Sequence, residues 1–313
     1  MNAKIRVTIF CLFVFSAQVF AQDDTVYMFS YFKGNGEDGL HLAYSKDGYS
    51  FKPLHNDQSF LTPELSKDKL MRDPCIIRGA DGLFHMVWTV SWNERGIGYA
   101  SSPDLKNWSK QLYIPVMEHE PGALNAWAPE ITYDKKGKQY IIYWATTIPG
   151  RFPATDSSGD GQYNHRIYYV TTKDFKTFSK TALLLDPGFN TIDATIQANG
   201  NGYIMFLKNE IKRPKAEKNL RVAFSKNILG KYSQPSAPIT GNYWAEGPTA
   251  IKINGRWIVY FDRYMDHKYG AVTSTDLKNW EDITDKIHFP GGVKHGTIFA
   301  ITQKEFNQFF GQQ

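Results

Sequence analysis

Three carboxylates, Asp73, Asp193 and Glu246, each open a short apolar run in a different part of the chain. The runs read Arg72-Asp-Pro-Cys-Ile-Ile77, Ile192-Asp-Ala-Thr-Ile-Gln197 and Glu246-Gly-Pro-Thr-Ala-Ile251. Asp is depleted from strands, and acids brought to one place repel one another unless a cation or a substrate uses them. One chemistry needs such a set. Inverting hydrolysis of a glycosidic bond takes a carboxylate that activates water and a carboxylic acid that protonates the leaving oxygen, roughly 6.5 to 9.5 Å apart. A third carboxyl nearby helps the acid keep its proton near neutral pH while the base stays ionised. Glu130, in Trp127-Ala-Pro-Glu-Ile131, is a fourth acid in a matching run, and His295 opens a fifth, His295-Gly-Thr-Ile-Phe299.

These five runs need a scaffold that brings them to one point, and the rest of the sequence supplies it. A Ser/Thr-x-Asp-x-x-x-aromatic turn ends at Phe51, Trp108, Phe178 and Trp280, with a variant ending at Tyr232. The interval is roughly 50 to 70 residues, the period of a β-propeller blade. Before each turn lies an apolar run beginning at Tyr27, Phe84, Tyr140, Tyr203 or Trp257, which reads as the second strand of a blade. The five runs that carry the acids and His295 read as the innermost strands, so their first residues ring the axis. The strand at His295 has nothing after it and the strands from Tyr27 to Phe51 have no inner strand before them. The two ends therefore combine into the fifth blade, which closes the ring and removes its open edges. The predicted fold is all-β, a single five-bladed propeller over residues 22–313.

Residues 1–21 read as a secretory signal peptide. Lys4 and Arg6 precede an apolar run from Val7 to Phe20, and Val19-Phe20-Ala21 is a cleavage site. The run is shorter than a membrane span, which needs about 20 apolar residues. The mature protein is expected to be exported, to the periplasm or the cell exterior, and monomeric. Cleavage leaves Cys75 as the one cysteine and excludes an intramolecular disulfide, so the core must carry stability. Of the residues, 42% are hydrophobic and 15% aromatic, which is enough for one large core. The formal charge of +5 drops by two with the leader, and no basic run interleaves with aromatics, which argues against nucleic acid as a partner. Segment 148–165 is expected to be a loop rising beside the axial acids.

In order and spacing, Arg72-Asp-Pro74, Trp127-Ala-Pro-Glu130, Ile192-Asp193, Glu246-Gly-Pro248 and His295-Gly-Thr297 resemble glycoside hydrolase family 43 over essentially the whole mature chain. The resemblance implies a five-bladed propeller that inverts anomeric configuration, with Asp73 as base, Asp193 as the acid that tunes and orients, and Glu246 as general acid. His295 resembles an axial histidine near a hydrated calcium ion, a weak or water-mediated ligand. The implied activity is exo-acting, with α-L-arabinofuranosidase as the first reading and β-xylosidase, galactofuranosidase or exo-galactanase as alternatives. Three departures stand out: Ile-Asp-Ala where Ile-Asp-Pro is commoner; Glu130, which competes with Glu246 for the acid role but lies two residues further along its strand; and N-terminal blade strands that precede the base, where simpler members begin almost at it. A non-catalytic glycan-binding propeller is a reading of another class, and it would have no use for the acids. For the carbohydrate itself, Trp92, Trp127 and Trp244 offer faces for a sugar ring and Arg263 a planar donor for hydroxyls. Trp88 and Trp144 read as core.

Overall fold

The computed structural model describes residues 24–311, so the leader expected over residues 1–21 lies outside the described residues. Among the described residues, nineteen strands form five antiparallel sheets. The chain begins with β1 (Thr25–Tyr31), β2 (His41–Ser45) and β3 (Lys52–Pro53). The next sheet is β4 (Arg72–Arg78), β5 (Phe84–Thr89), β6 (Ile97–Ser102) and β7 (Leu112–Ile114). After it come β8 (Trp127–Asp134), β9 (Gln139–Thr147), β10 (His165–Thr172) and β11 (Ala182–Leu185). A three-stranded sheet follows, β12 (Thr191–Asn199), β13 (Gly202–Asn209) and β14 (Asn219–Ser225). The next is β15 (Glu246–Ile253), β16 (Arg256–Arg263), β17 (Lys268–Ser274) and β18 (Glu281–Asp282). The last strand, β19 (Thr297–Thr302), pairs antiparallel with β1, from Thr25↔Thr302 to Ser30↔Thr297. The two ends of the chain thus share one blade, and the ring is closed by hydrogen bonds.

Five separate hydrophobic clusters fill the ring, one between each pair of neighbouring blades. Trp144 lies in the cluster between the blades of β4 and β8, and Trp88 in the cluster between the blades of β1 and β4; both are buried, as expected. Helix α1 (Gln303–Phe310) follows β19 and covers that second cluster with Phe306 and Phe309. A capping box starts the helix: the Thr302 side chain accepts from Glu305 N–H while Glu305 accepts from the Thr302 backbone.

The repeated turn has a local cause. In four blades the Asp side chain accepts from two backbone N–H groups just downstream: Asp47 from Tyr49 and Ser50, Asp104 from Lys106 and Asn107, Asp174 from Lys176 and Thr177, Asp276 from Lys278 and Asn279. Such bonds replace a backbone turn and explain why Asp is the residue used. The blade of β12 has Asn227 there, and Ser225 bonds the Asn227 carbonyl instead. That blade also lacks a fourth strand.

The inner strands share a second device. β4, β8, β12 and β15 each slip register after their opening residues, at Arg72/Cys75, Trp127/Glu130, Ile192/Thr195 and Glu246/Thr249. Within each slip one residue is left-handed: Asp73 (φ 54°), Ala128 (φ 46°), Asp193 (φ 51°) and Gly247 (φ 57°). These β-bulges bend the strand end and re-aim a side chain. A non-glycine residue held left-handed costs about 1 to 3 kcal/mol, and such strain gathers at functional sites.

Candidate active site

The bulges put Asp73 and Asp193 on the axis, and Cys75, Thr195 and Thr297 gather around the buried Glu130. Asp73 is nearly buried. It accepts from Thr89 Oγ1 at 2.7 Å, and His295 Nδ1 lies 3.2 Å from its other oxygen. Burial alone would raise the Asp73 pKa, but the bond from His295 and the charges of His295 and Arg72 outweigh it and hold the carboxyl below its usual range. His295 is the complement. Burial disfavours its charge, yet Asp73, Asp193 and Glu130 raise its pKa to about 9, so it is an imidazolium at neutral pH. The ring fits only because residue 247 is glycine: a Cβ there would stand 2.4 Å from His295 Cγ.

Asp193 is 6% exposed and accepts from the Gly247 N–H at 3.0 Å. Burial first, then the charges of Glu246 and Asp73, raise its pKa to about 6. Glu246 begins β15 and is held by Lys208, whose Nζ lies 2.9 Å from its Oε2. Lys208 is buried at the end of β13, reaches Glu210 at 2.6 Å, and lies over the Tyr264 ring at 4.8 Å. Lys218 pairs with the same Glu210. Glu130 is buried, and Thr195 donates to it at 2.9 Å and Thr297 at 3.3 Å. Burial raises its pKa to about 7. It lines neither cavity described below, in keeping with the greater depth read from its position.

Two adjoining cavities meet at these acids. One, of about 230 Å³, is walled by Trp92, Trp127 and Trp244 and floored by Asp73, Asp193 and Glu246. The other, of about 300 Å³, also reaches Asp73, Glu246 and His295 but not Asp193. Together they approach the size of a small-ligand site. Trp92 is 41% exposed and packs edge-on against Trp127 at 5.4 Å, while Arg72 lies 4.2 Å over its face. The loop over 148–165 does rise here, since Asp160 lines the first cavity and Tyr163 packs on Trp127 at 4.7 Å.

Arg263 is the expected site residue that the structure places elsewhere. It bonds Asp266 at 2.9 Å and lies 3.8 Å over the Tyr243 ring, outside both cavities. Successive strand residues point to opposite faces, so when Asp262 faces the cleft Arg263 cannot. Asp262, Lys208, Glu210 and Tyr264 went unread in the sequence. Lys208 and Asp262 each stand one residue before the end of an apolar second strand, and an ionisable residue closing such a run on the active face is the signal that marks them.

The donors at the axis do not fit direct coordination of calcium. Glu130 is engaged by two threonines and His295 by Asp73. Among the described residues, no three His, Cys, Asp or Glu side chains are grouped to hold a metal ion. No helix among them is long and apolar enough to cross a membrane.

The propeller is shared with known proteins. An α-L-arabinofuranosidase of Bifidobacterium longum subsp. longum is 26% identical over 202 residues, which are 56% of this chain and 18% of that protein. The chain thus spans under a fifth of that relative's length. The solved α-L-arabinofuranosidase of Lactobacillus brevis superposes with a TM-score of 0.54 at 20% identity, over 68% of this chain and 72% of that one. A thermostable family-43 glycoside hydrolase gives 0.55 at 16%, over 74% and 82%. An exo-β-1,3-galactanase of Phanerochaete chrysosporium gives 0.50 at 13%, over 67% and 48%. At these identities the superpositions speak to the fold alone. Residues 23–307 match the family model described as a probable glycosyl hydrolase domain related to family 43, and the chain belongs to that glycoside hydrolase family.

Proposed function

We propose that the protein is an exported, inverting exo-glycosidase that removes a terminal sugar from plant-type polysaccharide or oligosaccharide, with α-L-arabinofuranose as the first candidate. One observation carries the reading: Asp73 and Glu246, from different blades, line the same cleft, with Asp193 at the cavity floor between the tryptophans. The Bifidobacterium relative's name favours arabinofuranose, and the leader expected over residues 1–21 favours export. The protein's partner is the carbohydrate substrate rather than a nucleic acid, and it acts as a monomer.

Asp73 is the base. His295 and Thr89 fix both of its oxygens and His295 keeps it ionised, so it can take a proton from a water placed against the anomeric carbon. Glu246 protonates the leaving oxygen. Once it has given up that proton, Lys208 at 2.9 Å balances the new carboxylate. Asp193, anchored on the Gly247 N–H, lies beside the reacting ring and interacts with both charges. Trp92, Trp127 and Trp244 present faces to the sugar. No step uses a metal.

Proton NMR during early turnover of an aryl α-L-arabinofuranoside tests the stereochemistry. The first-formed sugar should have the opposite anomeric configuration to the substrate; retention sinks the mechanism. Aryl xylosides and galactofuranosides assayed alongside decide the sugar.

A further inference from the structure

Asp262, near the end of β16, pairs directly across from Glu246 on β15, so the two side chains rise from one face of the sheet. It is 6% exposed, and its carboxyl forms no hydrogen bond or ion pair among the described residues. Instead it faces the 300 Å³ cavity beside Phe32, Tyr264 and Lys294. Burial, and after it the charge of Glu246, raises its pKa to about 7. A buried polar group is nearly always bonded, and one left open inside a ligand cavity is completed by what binds there.

We propose that Asp262 is a specificity-determining residue that hydrogen-bonds the hydroxyls of the sugar on the leaving side of the scissile bond. The inference rests on the glycosidase reading above. The side follows from the acids. The ring that reacts must sit among all three carboxyls, and Asp193 faces only the tryptophan-walled cavity. Asp73 and Glu246 line both cavities, so the bond is cut where the two meet. The cavity of Asp262 therefore takes the next residue of the chain. A carboxyl there selects a hydroxyl-bearing sugar over an alkyl or aryl group, because only the sugar offers it partners.

The test compares an aryl glycoside with a disaccharide that carries the same terminal sugar, using the wild type and Asp262→Asn. Loss of a charge-assisted bond should lower kcat/KM on the disaccharide by roughly 10- to 100-fold more than on the aryl glycoside, mainly through KM. Asp262→Glu, which keeps the carboxyl but displaces it, should show the same selective loss, and thermal unfolding of each variant identifies any failure to fold. Equal losses on both substrates would place Asp262 at the reacting bond or in the fold and overturn the proposal, as would no loss on either. A wild type that turns over both substrates without the selective loss in either variant refutes Asp262 alone. A wild type that cleaves no glycoside refutes the glycosidase reading and this inference with it.

Discussion

His295→Gln tests how the axis keeps its base ionised. The imidazolium is buried and 3.2 Å from Asp73, and it titrates at about 9 against 6.5 for a free histidine. A folded pKa above the unfolded one means that stability from this group is fully present below about pH 6.5 and is lost as pH rises through about 9. At pH 7 the linkage amounts to about 2.5 kcal/mol, from about 1.4 kcal/mol per pKa unit less the fraction already titrated. The same contact depresses Asp73, so it is counted once. Removing it should lower the melting temperature at pH 6 by roughly 5 to 10 °C. The gap to the wild type should then narrow steadily up to pH 10. Asp73, still buried but without its opposite charge, should ionise later, and the acid limb of kcat/KM should move up by roughly 1 to 2 pH units. Calorimetry across pH and a pH–rate profile on an aryl glycoside measure both. A melting-temperature gap that stays constant from pH 6 to 10, with an unmoved acid limb, would reduce His295 to a packing residue and refute the reasoning.

Asp73→Asn and Glu246→Gln should each lower turnover of natural linkages by roughly 10² to 10⁴. With a dinitrophenyl leaving group, which needs little protonation, the Glu246 variant should recover and the Asp73 variant should not; selective recovery by Glu130→Gln would instead show the acid misassigned. Gly247→Ala forces a left-handed alanine (φ 57° in the glycine) and drives its Cβ into the His295 ring. It should destabilise by more than about 1 to 2 kcal/mol and lose activity even where it remains folded, read by unfolding and kinetics together.

The propeller was legible because each blade must solve the same two local problems. In four blades the outer turn closes on an Asp that accepts two backbone N–H groups, and in four the inner strand starts with a bulge at the axis. Asp47, Asp104, Asp174 and Asp276 mark the first, and the Asp73, Ala128, Asp193 and Gly247 positions mark the second. Where a blade departs, at Asn227, the motif weakened and the fourth strand is missing too. The acids were legible for the same reason, since a carboxyl at a bulge shows in a single sequence as a strand that opens on the wrong residue type.

The residues that reach the acids from the neighbouring strands were not legible, and Arg263 shows why. A second strand delivers its last residues to the active face, but only alternate ones, and a shift of one position exchanges Asp262 for Arg263. Composition favoured the arginine as a sugar donor; register decided for the aspartate. Lys208 follows the same rule. It sits opposite Ile192, one position from the bulge that aims Asp193, and its charge is buried against Glu210, 2.6 Å away, whose carboxyl, despite its burial, is held below its usual range by Lys208 and Lys218. Neither residue can be assigned without the pairing register, and in both blades that register is broken by a bulge in the inner strand alongside. The bulges at Asp73 and Asp193 therefore do two things. They point the acids at the axis, and they shift the pairing with the neighbouring strand.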